Sequence, residues 1–142
     1  MNSINFRNSS IISFFLAVCS LNALACPPCD FKTLLDEEKK CYDIEFTQQH
    51  IACMQASHKS LITHVTKQLK WVYRKQPVAM RQQADAALRK RLSNNEATCK
   101  AEMVAFGPGT LGPKRYAFCL NEGIKALEKE ISTTDSDFLN VN

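Results

Sequence analysis

Apolar positions along this chain recur mostly at intervals of three and four, which is the spacing of helices buried on one face. Phe31, Leu34, Leu35, Glu38 and Tyr42 follow it with one polar gap, predicting a short helix over about 31–43. Ile51, Met54, His58, Leu61, Val65, Leu69 and Val72 continue it after Thr47, which has the chemistry of an N-cap. This longer helix is expected to end near Gln76, because Pro77 disfavours continuation. Pro77 also suits the first turn of a following helix.

Residues 78–105 are rich in Ala, Arg, Gln and Lys, all good helix formers. Their apolar line is thin: Met80, Ala84, Ala87, Leu88, Leu92, Cys99 and Met103, with Asn94 and Asn95 as a point of weakness. Gly107-Pro108-Gly109-Thr110-Leu111-Gly112-Pro113 reads as a loop, since three glycines and two prolines in seven residues oppose a regular helix. Tyr116, Cys119, Leu120, Ile124, Leu127 and Ile131 mark a last helix. Residues 132–142 are polar and acidic and are expected to be a flexible tail. No run alternates as a strand does. The expected fold is therefore all-α, a small disulfide-stapled bundle of three or four helices spanning residues 26–131.

The first 25 residues change the setting of that bundle. Arg7 precedes a short apolar core around Ile11–Val18, and Ala23-Leu24-Ala25 presents small residues for a cut before Cys26. This is the pattern of a cleaved secretory signal. The apolar core is too short for the roughly 20 residues of a membrane span. A periplasmic or secreted product is expected. A lipid-anchored form through Cys26 is the alternative, although Ala23 stands where such signals usually carry leucine.

Export gives the cysteines their meaning. Beyond the signal there are six: Cys26, Cys29, Cys41, Cys53, Cys99 and Cys119. An even set in an exported chain favours disulfides over metal ligands. A straight helix would hold Cys41 and Cys53 about 18 Å apart, and a disulfide tolerates only about 7 Å between Cα atoms. A chain reversal before Thr47 would solve this, and the glycine-proline loop would do the same for Cys99 and Cys119. The expected bridges are 41–53 and 99–119, with Cys26 and Cys29 paired or redox-labile. Each bridge stabilises by about 3 kcal/mol in the chain-entropy account.

The net charge of +4 is unevenly spread. Residues 59–91 carry nine Lys and Arg against Asp85 alone, between acidic stretches at 30–45 and 122–137. A basic middle can attract an anionic envelope surface, lipid or wall polymer. Trp71-Val72-Tyr73-Arg74-Lys75 interleaves aromatics with cations, as in surfaces that stack on bases or sugars. Its simpler reading is one core residue beside exposed aromatics, and no nucleic acid partner is expected. The Cys26-x-x-Cys29 spacing is that of thiol-redox proteins, but no strand pattern accompanies it. His50, His58 and His64 lack the spacing of a metal site, and no nucleophile elbow or phosphate-binding loop occurs. No enzyme, catalytic residue, metal or cofactor is expected.

Thr47-Gln48 ahead of Cys53, the long helix, Cys99, the glycine loop at 107–112 and Cys119 leading into Ile124-Lys125-Ala126-Leu127 together resemble the LprI-type lysozyme-inhibitor domain family. The likeness covers roughly residues 41–128. It implies an exported helical domain with four cysteines that inhibits lysozyme and so protects peptidoglycan. The Trp and Arg that such domains carry before their third cysteine are absent, and Cys26 and Cys29 are extra. An inhibitor needs a rigid protrusion to enter a sugar-binding cleft. The segment Gly107, Pro108, Gly109, Thr110 and Leu111, clamped by a 99–119 bridge, is the expected contact. Asp36–Glu38 or Glu122–Glu130 would then face the cationic surface of a lysozyme.

Overall fold

The computed structural model describes residues 30–107, 109–133 and 136–139. Residues 1–25, expected from the sequence to be a secretory signal, and the Cys26/Cys29 pair lie outside them. Four helices follow one another: α1 (Phe31–Tyr42), α2 (Thr47–Val72), α3 (Val78–Ala105) and α4 (Leu111–Ser132). A short 3-10 helix, Ser136–Leu139, follows α4. No strand occurs among the described residues.

The helix limits depart from expectation in three places. Thr47 is the first residue of α2 and does not cap it; Phe46 occupies the cap position, and no side chain bonds there. α2 stops at Val72, and Pro77 stands immediately before α3. α4 begins at Leu111, five residues before Tyr116, so Gly112 and Pro113 are helical. Pro113 is tolerated because the first-turn N–H groups have no intrahelical partner to lose. α3 runs unbroken past Asn94 and Asn95.

Side-chain pairs set the helix directions. Phe31 meets His64 with ring centroids 5.1 Å apart, and Cys41 is bonded to Cys53, so α1 runs antiparallel to α2. Asn121 donates to the Met54 carbonyl at 3.4 Å, and Gln68 donates to Glu128 at 3.1 Å and to Ser132 at 2.6 Å. α4 therefore runs parallel to α2. Asn95 donates to the Leu120 carbonyl at 3.1 Å, and Arg115 pairs with Glu102 at 3.2 Å, which makes α3 antiparallel to α4.

The main core lies between α2, α3 and α4 around Leu61, Val65, Leu69, Leu88, Ile124 and Leu127. α3 contributes mainly small side chains, Ala84 and Ala87, and Met80 is exposed rather than packed. The helices approach closely where residues are small. A Cβ on Gly123 would fall 1.9 Å from the Asn95 amide oxygen. Within the stretch expected to be a flexible tail, Phe138 is 3% exposed and packs in the core beneath the Arg91 guanidinium. Arg91 also pairs with Glu130, tying the end of α4 to α3.

Candidate binding surface at the disulfide-clamped end

Because α2 and α4 run parallel, the α1–α2 and α3–α4 turns lie at the same end of the bundle. Each is braced by a disulfide, Cys41–Cys53 or Cys99–Cys119, with Cα atoms 5.6 Å apart in both. These are the two bridges expected from the cysteine spacing. They place the described domain in an oxidising, extracytoplasmic setting. Among the described residues no helix is long and apolar enough to cross a membrane.

The α3–α4 turn is built on two left-handed glycines, Gly107 at φ 72° and Gly109 at φ 136°. Other residues rarely adopt these angles. The Gly107 N–H bonds the Val104 carbonyl at 3.0 Å and closes the end of α3. Of the segment singled out from the sequence, Gly107, Gly109 and Thr110 form the turn, whereas Leu111 is the first residue of α4. Pro108 lies outside the described residues. Apolar side chains stand out into solvent here: Phe46 is 72% exposed, Val104 71% and Leu111 61%. Phe106 and Tyr42 are exposed as well. Large apolar groups gathered at one end of a small protein mark a contact surface more often than a solvated one.

Beneath this end lies a buried polar network. Glu38 is 1% exposed. One of its carboxylate oxygens accepts from Tyr42 Oη at 3.1 Å and Asn121 Nδ2 at 3.2 Å; the other pairs with Lys125 Nζ at 2.7 Å. Lys125 also meets Glu122 at 2.7 Å. His58 Nδ1 lies 3.1 Å from Asn121 Oδ1 and donates to it, since the Asn121 amide nitrogen already faces Glu38. The chain Lys125–Glu38–Asn121–His58 thus joins α1, α2 and α4.

The network shifts the groups within it. Burial, then the Glu38 charge, pushes the Tyr42 hydroxyl up to about 12. Burial alone would lower Lys125, but hydrogen bonds to Glu122 and Glu38 outweigh it and raise the ammonium above its usual value. Burial lowers His58 despite its bond to Asn121. A carboxylate held by an ammonium and two donors is a structural brace, with no acceptor left open toward a ligand.

One sequence expectation changes here. Glu38 is buried and not a solvated surface acid, so it does not stand free to steer a cationic partner, whereas Glu122 pairs with Lys125 and stays exposed. The acids exposed beside the clamped turns are Asp43 and Glu45. The sequence signal for Glu38 was its place in the apolar series Phe31, Leu34, Leu35 and Tyr42. Among the described residues no group of three His, Cys, Asp or Glu could hold a metal ion. No family model matches this chain, and no curated protein or solved structure matches it either.

Proposed function

We propose that this is an exported cell-envelope protein, periplasmic or secreted, that binds lysozyme and inhibits it, and that it has no catalytic activity of its own. The observation that carries the reading is the pair of disulfide-braced turns at one end, with Phe46, Phe106 and Leu111 exposed. A turn already rigid when free gives up less entropy on entering a cleft. Asp43 and Glu45 beside those turns suit a cationic partner. The resemblance to LprI-type domains in cysteine order and loop position supports the same reading.

The test is lysis of a cell-wall suspension by several lysozymes, with and without the purified oxidised protein. Dose-dependent slowing is expected, lost when the disulfides are reduced. Leu111→Lys and Phe46→Asp should each weaken inhibition at least about tenfold, the size of a central interface side chain, without changing the circular dichroism. Lysis unaffected across the panel would refute the proposal. A second reading, contact with an anionic envelope surface, is favoured by the cations around the α2–α3 turn.

A further inference from the structure

The α2–α3 turn lies at the other end of α2, whose 26 residues span about 39 Å. A cavity of about 400 Å³ opens there. Leu69, Tyr73 and Val78 provide apolar lining, and Lys70, Arg74 and Arg81 line the same cavity, with Asp85 as the acid among its described residues. Val78 is 59% exposed. The Arg74 guanidinium lies 3.6 Å from the Trp71 ring centroid and bonds the Trp71 carbonyl at 2.7 Å, so its charge is held in place. No carboxylate among the described residues forms an ion pair with Lys70, Arg74 or Arg81.

We propose that this corner is a docking site for the surface of an anionic phospholipid bilayer. This rests on the second reading above and is independent of lysozyme inhibition. The chemistry separates lipid from a soluble polyanion. A wall polymer would satisfy the cations but leave Val78 and the apolar cavity wet. A bilayer satisfies both, because headgroup phosphates meet Lys70, Arg74 and Arg81 while Val78 reaches the acyl boundary. Trp71 and Tyr73, both half-buried beside the cavity, supply the amphipathic rings favoured at that depth. Docking in this pose directs the disulfide-clamped end away from the membrane.

Trp71 is the only tryptophan of the chain, so its fluorescence reports on this corner directly. The experiment is titration of the oxidised protein with vesicles of phosphatidylcholine containing phosphatidylglycerol, alongside phosphatidylcholine alone and purified peptidoglycan. The expected result is co-sedimentation with the anionic vesicles and a blue shift of Trp71 emission, both lost at high salt. Each cation near an anionic surface contributes roughly fivefold in affinity, so K70Q/R74Q/R81Q should bind roughly a hundredfold more weakly. K39Q/K114Q, which removes two cations remote from the turn, should bind anionic vesicles nearly as the parent does. V78S should reduce the blue shift while keeping the salt dependence. Circular dichroism of each variant checks its fold, and the parent's blue shift needs no variant.

Binding to peptidoglycan without vesicles would overturn the proposal and leave the broader envelope reading standing. Binding to neither would sink both. Equal binding to neutral and anionic vesicles, or an unchanged affinity for the triple variant, would also overturn it.

Discussion

Replacing Lys125 by methionine removes an ammonium that lies 2.7 Å from a carboxylate almost closed to water. The side chains are similar in length, so the main change is the loss of charge opposite Glu38. Breaking a buried ion pair by deleting one partner costs about 3–5 kcal/mol. The loss here belongs at the lower edge, about 3 kcal/mol, because Tyr42 and Asn121 still donate to Glu38 and the Lys125 side chain is 24% exposed. Glu38→Gln should cost less, about 1–2 kcal/mol, because the amide keeps an acceptor in place and Lys125 keeps Glu122. If the two groups act on each other, the double variant will lose less than the sum of the singles, by about 1–2 kcal/mol. The assay is urea unfolding of the oxidised proteins, followed by circular dichroism. A loss below about 0.5 kcal/mol for Lys125→Met, the range of an ordinary surface change, would refute the brace. So would strict additivity.

Replacing Cys99 and Cys119 by serine opens a 20-residue loop and should cost about 3 kcal/mol in chemical denaturation, with the 12-residue Cys41–Cys53 bridge worth slightly less. Gly123→Ala sets helix propensity, which favours alanine by about 1 kcal/mol, against the Asn95 clash and the loss of its bond to Leu120. Net destabilisation of about 1–2 kcal/mol is expected, and Asn95→Ala in the same chain should recover most of it on thermal melting. His58 and His64 are both lowered by burial, so the folded protein binds fewer protons than the unfolded chain. Their contribution is intact above the ordinary histidine value of 6.5 and is lost as pH falls through the lower folded values. The melting temperature should therefore drop on acidification below that value, and His64→Phe should flatten the drop.

How much of the candidate surface could be read in advance differs residue by residue. The glycine turn was legible because positive φ belongs almost only to glycine. Leu111 looked like loop because a glycine and a proline follow it, yet both fall in the one turn of a helix that forgives them. Phe46 carried no signal. Its exposure follows from the turn in which it stands, and an isolated aromatic between polar residues looks the same whether it packs or protrudes. Phe138, in a polar tail, found the core only because Arg91 and the end of α4 are folded over it.

The four helices, and the pairing of Cys41 with Cys53 and Cys99 with Cys119, were determined by the sequence itself. Each depends on local matters: the three-and-four spacing of apolar groups, a break in that spacing before Thr47, Pro77 and the glycine turn after α3 to reverse the chain, and the short reach of a disulfide. Tertiary structure decided the rest. It buried Glu38 against Lys125, 87 residues away by their numbers. It also left Lys70, Arg74 and Arg81 around an open cavity. Those outcomes depend on which helix faces meet, and a face is chosen by the sum of many weak contacts between distant segments, which no local pattern records.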